Sequence, residues 1–162
     1  MQIAKFKEKS LLFTLFLTLA VFAPLLRMQV VAGILVNAML FLTVLYLGLR
    51  AALVISLMPS LIAWGVGILP FSLVLLIPII MLSNCLLSVV FYLLRKQPYL
   101  VKAGVSSIAK FGFLFVSAFV LGFYLSKELA LQVNIILGFV QLATAFLGAA
   151  VAYIIFRLKP EV

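Results

Sequence analysis

Four amide or ammonium side chains lie deep inside apolar runs of this sequence, each at least about seven residues from the nearest end of its run: Asn37, Asn84, Lys110 and Gln141. In hydrocarbon, polar groups of this kind hydrogen-bond to a neighbouring helix or face a cavity, because an unpaired polar group is costly there. The chemistry that they could support is the binding of a solute, with Lys110 as the counter-charge of an anionic group. Two other interpretations stay open, namely that the amides only join helices and that Lys110 snorkels to the near end of its helix.

The residue types that most enzymes and metal sites need are scarce. The chain has no histidine, one cysteine (Cys85) and three carboxylates, Glu8, Glu128 and Glu161, all outside the apolar runs. We therefore predict no metal site, no cofactor and no enzymatic activity, since no nucleophile, base and acid converge in the sequence. Without an intramembrane acid or a phosphate-binding glycine loop, any uphill transport must take its energy from another chain.

Composition gives the class of protein. Of the 162 residues, 68% are hydrophobic and 9% are charged, which leaves too little polar surface to cover a soluble globule. The net charge of +9 comes from basic residues at the ends of apolar runs. That pattern favours contact with a lipid bilayer and argues against a nucleic-acid partner.

The apolar runs predict an all-α integral membrane protein with six transmembrane helices in one domain, residues 1–162. The clearest run, Phe71 to Leu94, carries no Asp, Glu, Lys or Arg and exceeds the roughly 20 residues that cross a bilayer. Near Gly48 the chain must reverse, because one helix through both flanking runs would be far longer than a membrane is thick. The predicted spans are residues 11–26, 30–49, 51–69, 71–94, 103–125 and 129–156.

The first span could be read as a signal peptide, since a basic arm precedes it. The small residues Ala20 and Ala23 do not have the spacing of a cleavage site, so we interpret the segment as the first helix.

The distribution of basic residues predicts that both termini are cytoplasmic. This orientation leaves Arg27 and Lys127 outside, and Lys110 lies within a span. The remaining nine basic residues then face the cytoplasm, which is a strong bias for short loops. They are Lys5, Lys7, Lys9, Arg50, Arg95, Lys96, Lys102, Arg157 and Lys159.

Small residues recur at helical spacing on three spans, where they let helix backbones approach closely. On the last span, with Thr144, Gly148 and Ala152, contact within the bundle is favoured. On the first and third spans, packing within the bundle and docking of a partner are both open. The candidate docking residues are Thr14, Thr18, Ala52, Ser56 and Ser60.

Taken together, these features resemble the substrate-binding subunits of energy-coupling factor transporters, in particular small uncharacterised members of that family. The resemblance rests on six short spans, cytoplasmic termini, small-residue stripes and five short motifs spread over nearly the whole chain. The motifs are G-x-x-V-N-A at 33–38, P-S-L-I-A-x-x-x-G at 59–67, P-x-x-x-x-x-N at 78–84, K-F at 110–111 and Q-x-x-T-A at 141–145.

The resemblance implies a multi-pass protein of a bacterial cell membrane that captures a vitamin or similar micronutrient from the outer face. It implies docking through the first and third helices on a transmembrane coupling subunit that carries two ATPases. The family commonly has A-x-x-x-A on the docking helices, whereas the first helix here has Ser10, Thr14 and Thr18. Two further classes stay open: a membrane scaffold or assembly protein without a ligand, and a stand-alone facilitator.

Overall fold

The computed structural model describes residues 2–67 and 74–158, and every regular element within those ranges is helical. A short 3-10 helix, Ala23–Leu26, continues the end of the first α-helix. The predicted all-α class is therefore confirmed for the described ranges. The α-helices are α1 Gln2–Phe22, α2 Gln29–Tyr46, α3 Leu49–Gly65, α4 Leu76–Leu93, α5 Tyr99–Gly122, α6 Lys127–Leu137 and α7 Phe139–Leu158.

Several of these helices have the length and composition of membrane spans. Five stretches qualify among the described residues: α1 with its 3-10 extension, α2, α4, α5, and α6 together with α7. At 17 residues, α3 is a shorter apolar helix. The arrangement is compatible with a multi-pass membrane protein.

The turns between helices follow the local sequence. At Gly48 the backbone has φ 86°, a conformation that favours glycine, and the N–H groups of Leu47 and Gly48 both donate to the Thr43 carbonyl. The chain thus reverses between α2 and α3, at the position that the sequence predicted. The predicted end of the third span and start of the fourth fall at 69–71, which lie outside the described residues, as does the tail at 159–162.

The last predicted span, 129–156, lies within one apolar stretch long enough to cross a membrane, Lys127–Leu158, but the structure divides this stretch into two helices. Helix α6 ends at Leu137, α7 begins at Phe139, and Gly138 between them has φ −80° and ψ −149°. A β-carbon at this position would collide with the backbone carbonyl oxygen of Asn134. The interruption therefore depends on a glycine, which an analysis of hydropathy alone does not reveal.

Helix α2 lies at the centre of the bundle. Every residue from Val36 to Val44 is buried, so this part of the helix is covered on all sides. It packs against α1, α3, α4 and α7. One apolar core surrounds it and includes the edge-to-face pair Phe41 and Phe91. A second, smaller core joins α4, α5 and α6 through Leu76, Leu114 and Val133.

Two glycines bring α7 close to α2. A β-carbon on Gly148 would lie 2.7 Å from Asn37 Cβ and 2.9 Å from the backbone nitrogen of Ala38. On the facing helix, a β-carbon on Gly33 would lie 2.9 Å from Thr144 Oγ1. Close backbone approach of this kind is a main source of helix association in lipid, where no hydrophobic drive brings the helices together.

We expect Gly148→Ala to destabilise the bundle by about 1–3 kcal/mol, because the added methyl group would overpack the α2–α7 contact. The matched control is Gly112→Ala on α5, where an added β-carbon meets nothing within 4 Å. That substitution should be neutral or stabilise the helix by up to about 1 kcal/mol. Thermal unfolding in mild detergent measures both variants, and equal midpoints for the two would contradict the assigned contact.

Candidate functional site

Three of the four predicted site residues meet midway through the bundle. Asn37 from α2, Asn84 from α4 and Lys110 from α5 are each at most 2% exposed. The Lys110 ammonium donates to Asn37 Oδ1 and to Asn84 Oδ1, both at 2.7 Å. These two short hydrogen bonds tie three helices together at one point. We call the three residues the lysine cluster.

Lys110 points into the protein and does not snorkel to an end of its helix. It stands 11 residues after Tyr99, the first residue of α5, which corresponds to about 16 Å along the helix axis. Both of its hydrogen-bond acceptors are neutral amides, and no carboxylate contacts it among the described residues. An ammonium has three N–H donors, so one donor of Lys110 is left for another acceptor.

The two amides are held by bonds of their own. Asn37 Nδ2 donates to Thr144 Oγ1 on α7, and Asn84 Nδ2 donates to the Ser56 carbonyl on α3, each over 3.4 Å. The Thr144 hydroxyl in turn donates to the Gln141 carbonyl at 3.1 Å. Because these outer bonds fix the amide orientation, both amide oxygens face Lys110.

The lysine cluster lines a cavity of about 520 Å³. Its rim includes Arg27 and Met28, which are exposed in the turn between the 3-10 helix and α2, and Gly67 beyond α3. Between rim and cluster the wall is mostly apolar. The lining residues there include Ala32, Val36, Pro59, Ala63, Ile80 and Ile136. The cavity therefore runs from one end of the bundle to the buried ammonium.

Gln141, the fourth predicted site residue, lies in the wall of the same cavity but does not join the lysine cluster. Its Nε2 donates to the Ile136 carbonyl at 3.2 Å, and Gln29 Nε2 donates to the same carbonyl at 3.3 Å. The interruption at Gly138 frees this carbonyl from the helical pattern. The two glutamines thus satisfy the broken end of α6 beside the cavity.

Three of the five predicted docking residues lie inside the bundle. Ala52, Ser56 and Ser60 on α3 are all buried, whereas a docking residue must be exposed. Ser56 donates to the Ala52 carbonyl at 2.8 Å and shares a hydrogen bond of 3.2 Å with the Ser88 hydroxyl on α4. The small residues of α3 therefore pack against other helices of the chain and do not form the docking surface that the sequence suggested. Ser60 also lines the cavity.

The other two candidates, Thr14 and Thr18 on α1, are exposed. The Thr14 hydroxyl donates to the Ser10 carbonyl at 3.0 Å, so its donor is satisfied within the helix. Thr14 and Thr18 therefore form a row of small exposed side chains on the outer surface of α1.

The sequence analysis did not include Arg27 and Gln29 among the candidate site residues. Both line the cavity because the turn folds over its rim. The positive φ of Arg27, 54°, was not foreseeable from its residue type. For Gln29 the sequence held a weak signal. It is an amide directly before an apolar run, which is where a helix begins.

The arrangement is suited to binding. It offers one buried ammonium, two amides and an apolar wall, and no group of three His, Cys, Asp or Glu side chains lies together within residues 2–67 and 74–158. Such a site can hold and orient a small molecule through charge and hydrogen bonds. Comparison with known proteins finds no matching family model, no matching curated protein and no matching solved structure.

The shared carbonyl of Ile136 allows a double-mutant test of the helix interruption. We expect Gln29→Leu and Gln141→Leu each to cost up to about 1 kcal/mol, because the second glutamine still donates to the carbonyl. The double variant should cost more than the sum, since the carbonyl then loses both side-chain donors. Thermal unfolding of the four proteins gives the coupling energy, with the exposed Gln97→Leu as a neutral control. Strictly additive costs would show that the two glutamines act separately.

Proposed function

We propose that this chain captures a small organic solute within the membrane, as the substrate-binding subunit of an ATP-driven importer. The observation that carries the proposal is the lysine cluster at the inner end of the cavity, where Lys110 Nζ lies 2.7 Å from each of two amide oxygens. Ionisable groups at membrane depth are expensive, and they mark solute and ion pathways in membrane proteins.

The direction of the cavity supports capture from outside. Its rim lies at the end of the bundle that carries Arg27 and the start of α2. The opposite end carries most of the basic residues, among them Arg50, Arg95 and Arg157. Since basic residues collect on the cytoplasmic side, the cavity is expected to open outward, and both termini are expected to be cytoplasmic.

We propose that uphill uptake of the solute takes its energy from separate subunits. No carboxylate lines the cavity among the described residues, so proton or sodium coupling through an acid has no candidate there. The family resemblance supplies the alternative, a transmembrane coupling subunit with two ATPases. With Ala52, Ser56 and Ser60 buried, the proposed docking surface narrows to the exposed face of α1 around Thr14 and Thr18.

The experiment that tests the importer is affinity purification of the tagged chain from its native host in mild detergent, followed by mass spectrometry of the retained proteins and small molecules. We expect a coupling subunit, two ATPases and a retained metabolite. Recovery of the chain with cell-envelope proteins and without a metabolite would contradict the importer and favour a membrane scaffold. Solute flux into liposomes that contain the chain alone, without ATP, would replace it by a facilitator.

The docking surface is tested by Thr14→Leu. A bulky side chain at this position should prevent a partner helix from approaching α1, so recovery of the coupling subunit should fall at least tenfold. Ala150→Leu makes a larger change in side-chain volume on the exposed face of α7, which has no substantial contact with α1, and should leave recovery intact. Equal recovery with both variants would remove α1 as the docking surface.

The proposed orientation is tested by cysteine labelling in whole cells, in a Cys85→Ala background. Met28→Cys at the rim should react with a membrane-impermeant maleimide before the cells are opened. Gln97→Cys, in the exposed turn between α4 and α5, should react only after permeabilisation. The reverse pattern would mean that the cavity opens toward the cytoplasm.

A further inference from the structure

We infer that the solute is a small monocarboxylate with an apolar body, and that it enters the cavity with its carboxylate first, to meet Lys110. This inference rests on the proposed function, since it names the chemical class of the captured solute. It follows from the charge, the spare hydrogen-bond donors and the apolar wall of the cavity.

The charge of the lining is positive at both ends, and no acidic side chain balances it among the described residues. Lys110 at the inner end and Arg27 at the rim are the charged residues of the lining, within the part of the chain that the structure describes. A cationic solute would therefore meet repulsion along the whole path. An anion would stabilise the charged form of Lys110, whose partners are neutral, because a charge pair costs far less at low dielectric than an isolated charge.

The donors of the lysine cluster fit a carboxylate. Lys110 uses two of its three N–H donors on Asn37 and Asn84, which leaves one. Each amide nitrogen has two N–H donors and spends one on a bond of 3.4 Å, so each also keeps one. The lysine cluster thus keeps one charged donor and two neutral donors, a set that suits the lone pairs of two carboxylate oxygens.

The number of cations at depth limits the charge of the solute. The described residues place a single cation, Lys110, at the inner end, and its polar neighbours are neutral amides. A phosphate dianion would leave one negative charge unpaired among apolar walls. A carboxylate carries one charge and is neutralised by the one ammonium.

The apolar wall and the length of the cavity indicate the polarity and the length of the rest of the solute. Between the rim and the lysine cluster the wall is mostly apolar, with residues such as Ala32, Val36 and Ile80, and Ser60 and Gln141 are its polar side chains among the described residues. Gln29 at the rim and Asn37 at the cluster are eight residues apart on α2, or about 12 Å along the helix axis. The solute body is thus apolar and about this long, within a total volume of about 520 Å³.

The test uses two apolar bodies, phenylbutyl and octyl, each as the carboxylate, primary amide, amine and phosphonate. Binding to the purified chain in lipid nanodiscs is measured by titration calorimetry, with empty nanodiscs as the blank for partition into lipid. For at least one body, the carboxylate should bind at least tenfold more tightly than the matched amide, amine and phosphonate. Equal or tighter binding of the amide, amine or phosphonate would overturn the inference, as would the failure of both carboxylates to bind.

Lys110→Met should weaken the binding of the carboxylate at least tenfold, to the affinity of the matched amide. The control is Lys102→Met, the same change two turns earlier on α5, where the ammonium lies 4.6 Å from the centre of the Phe91 ring and outside the cavity. This variant should bind as the unmodified chain does. If Lys110→Met is unstable, the comparison of carboxylate with amide on the unmodified chain still decides the question.

The two proposals can fail separately. Recovery of the ATPase partners together with a preference for amides or amines would overturn the monocarboxylate and leave the importer. A preference for carboxylates that depends on Lys110, without ATPase partners and with ATP-independent flux, would keep the ligand class and replace the importer by a facilitator.

Discussion

An ammonium group cannot lie at the middle of an apolar bundle without acceptors, and in this chain Asn37 and Asn84 supply them. The two bonds of 2.7 Å from Lys110 determine where α2, α4 and α5 stand relative to one another, because a displacement of any of the three helices would leave a polar group unpaired. The outer bonds extend the constraint to α3 through the Ser56 carbonyl and to α7 through Thr144. One polar cluster thus joins five helices.

Small side chains make that cluster possible. Gly33 and Gly148 bring α2 and α7 into backbone contact, which puts Thr144 within reach of Asn37. Across the bundle, Ser56 and Ser88 face each other at 3.2 Å between α3 and α4. Helices packed this closely gain dispersion contacts that lipid tails do not replace with the same precision of fit. The close contacts and the buried amides therefore support one another.

One helix is interrupted beside the cavity. Gly138 ends α6, and the freed Ile136 carbonyl is held by Gln29 and Gln141. An irregular backbone at membrane depth is tolerated where protein or a cavity surrounds it, and both conditions hold here. Ile136 and Gln141 beside the interruption, Arg27 at the rim and the lysine cluster all line this one cavity.

The sequence by itself determined the helical class and most helix positions, since apolar runs and the turn at Gly48 follow from hydropathy and backbone sterics. It also identified Asn37, Asn84, Lys110 and Gln141, because polar side chains stand out in an apolar run whatever the fold. Which of them meet was decided only by the tertiary structure: three form the lysine cluster, and Gln141 binds the broken end of α6 instead. The structure also decided that Ala52, Ser56 and Ser60 face inward, because a stripe of small residues suits an internal neighbour and an external partner equally. Spacing along a helix fixes which residues share a face, and only the packing of the whole chain fixes what that face meets.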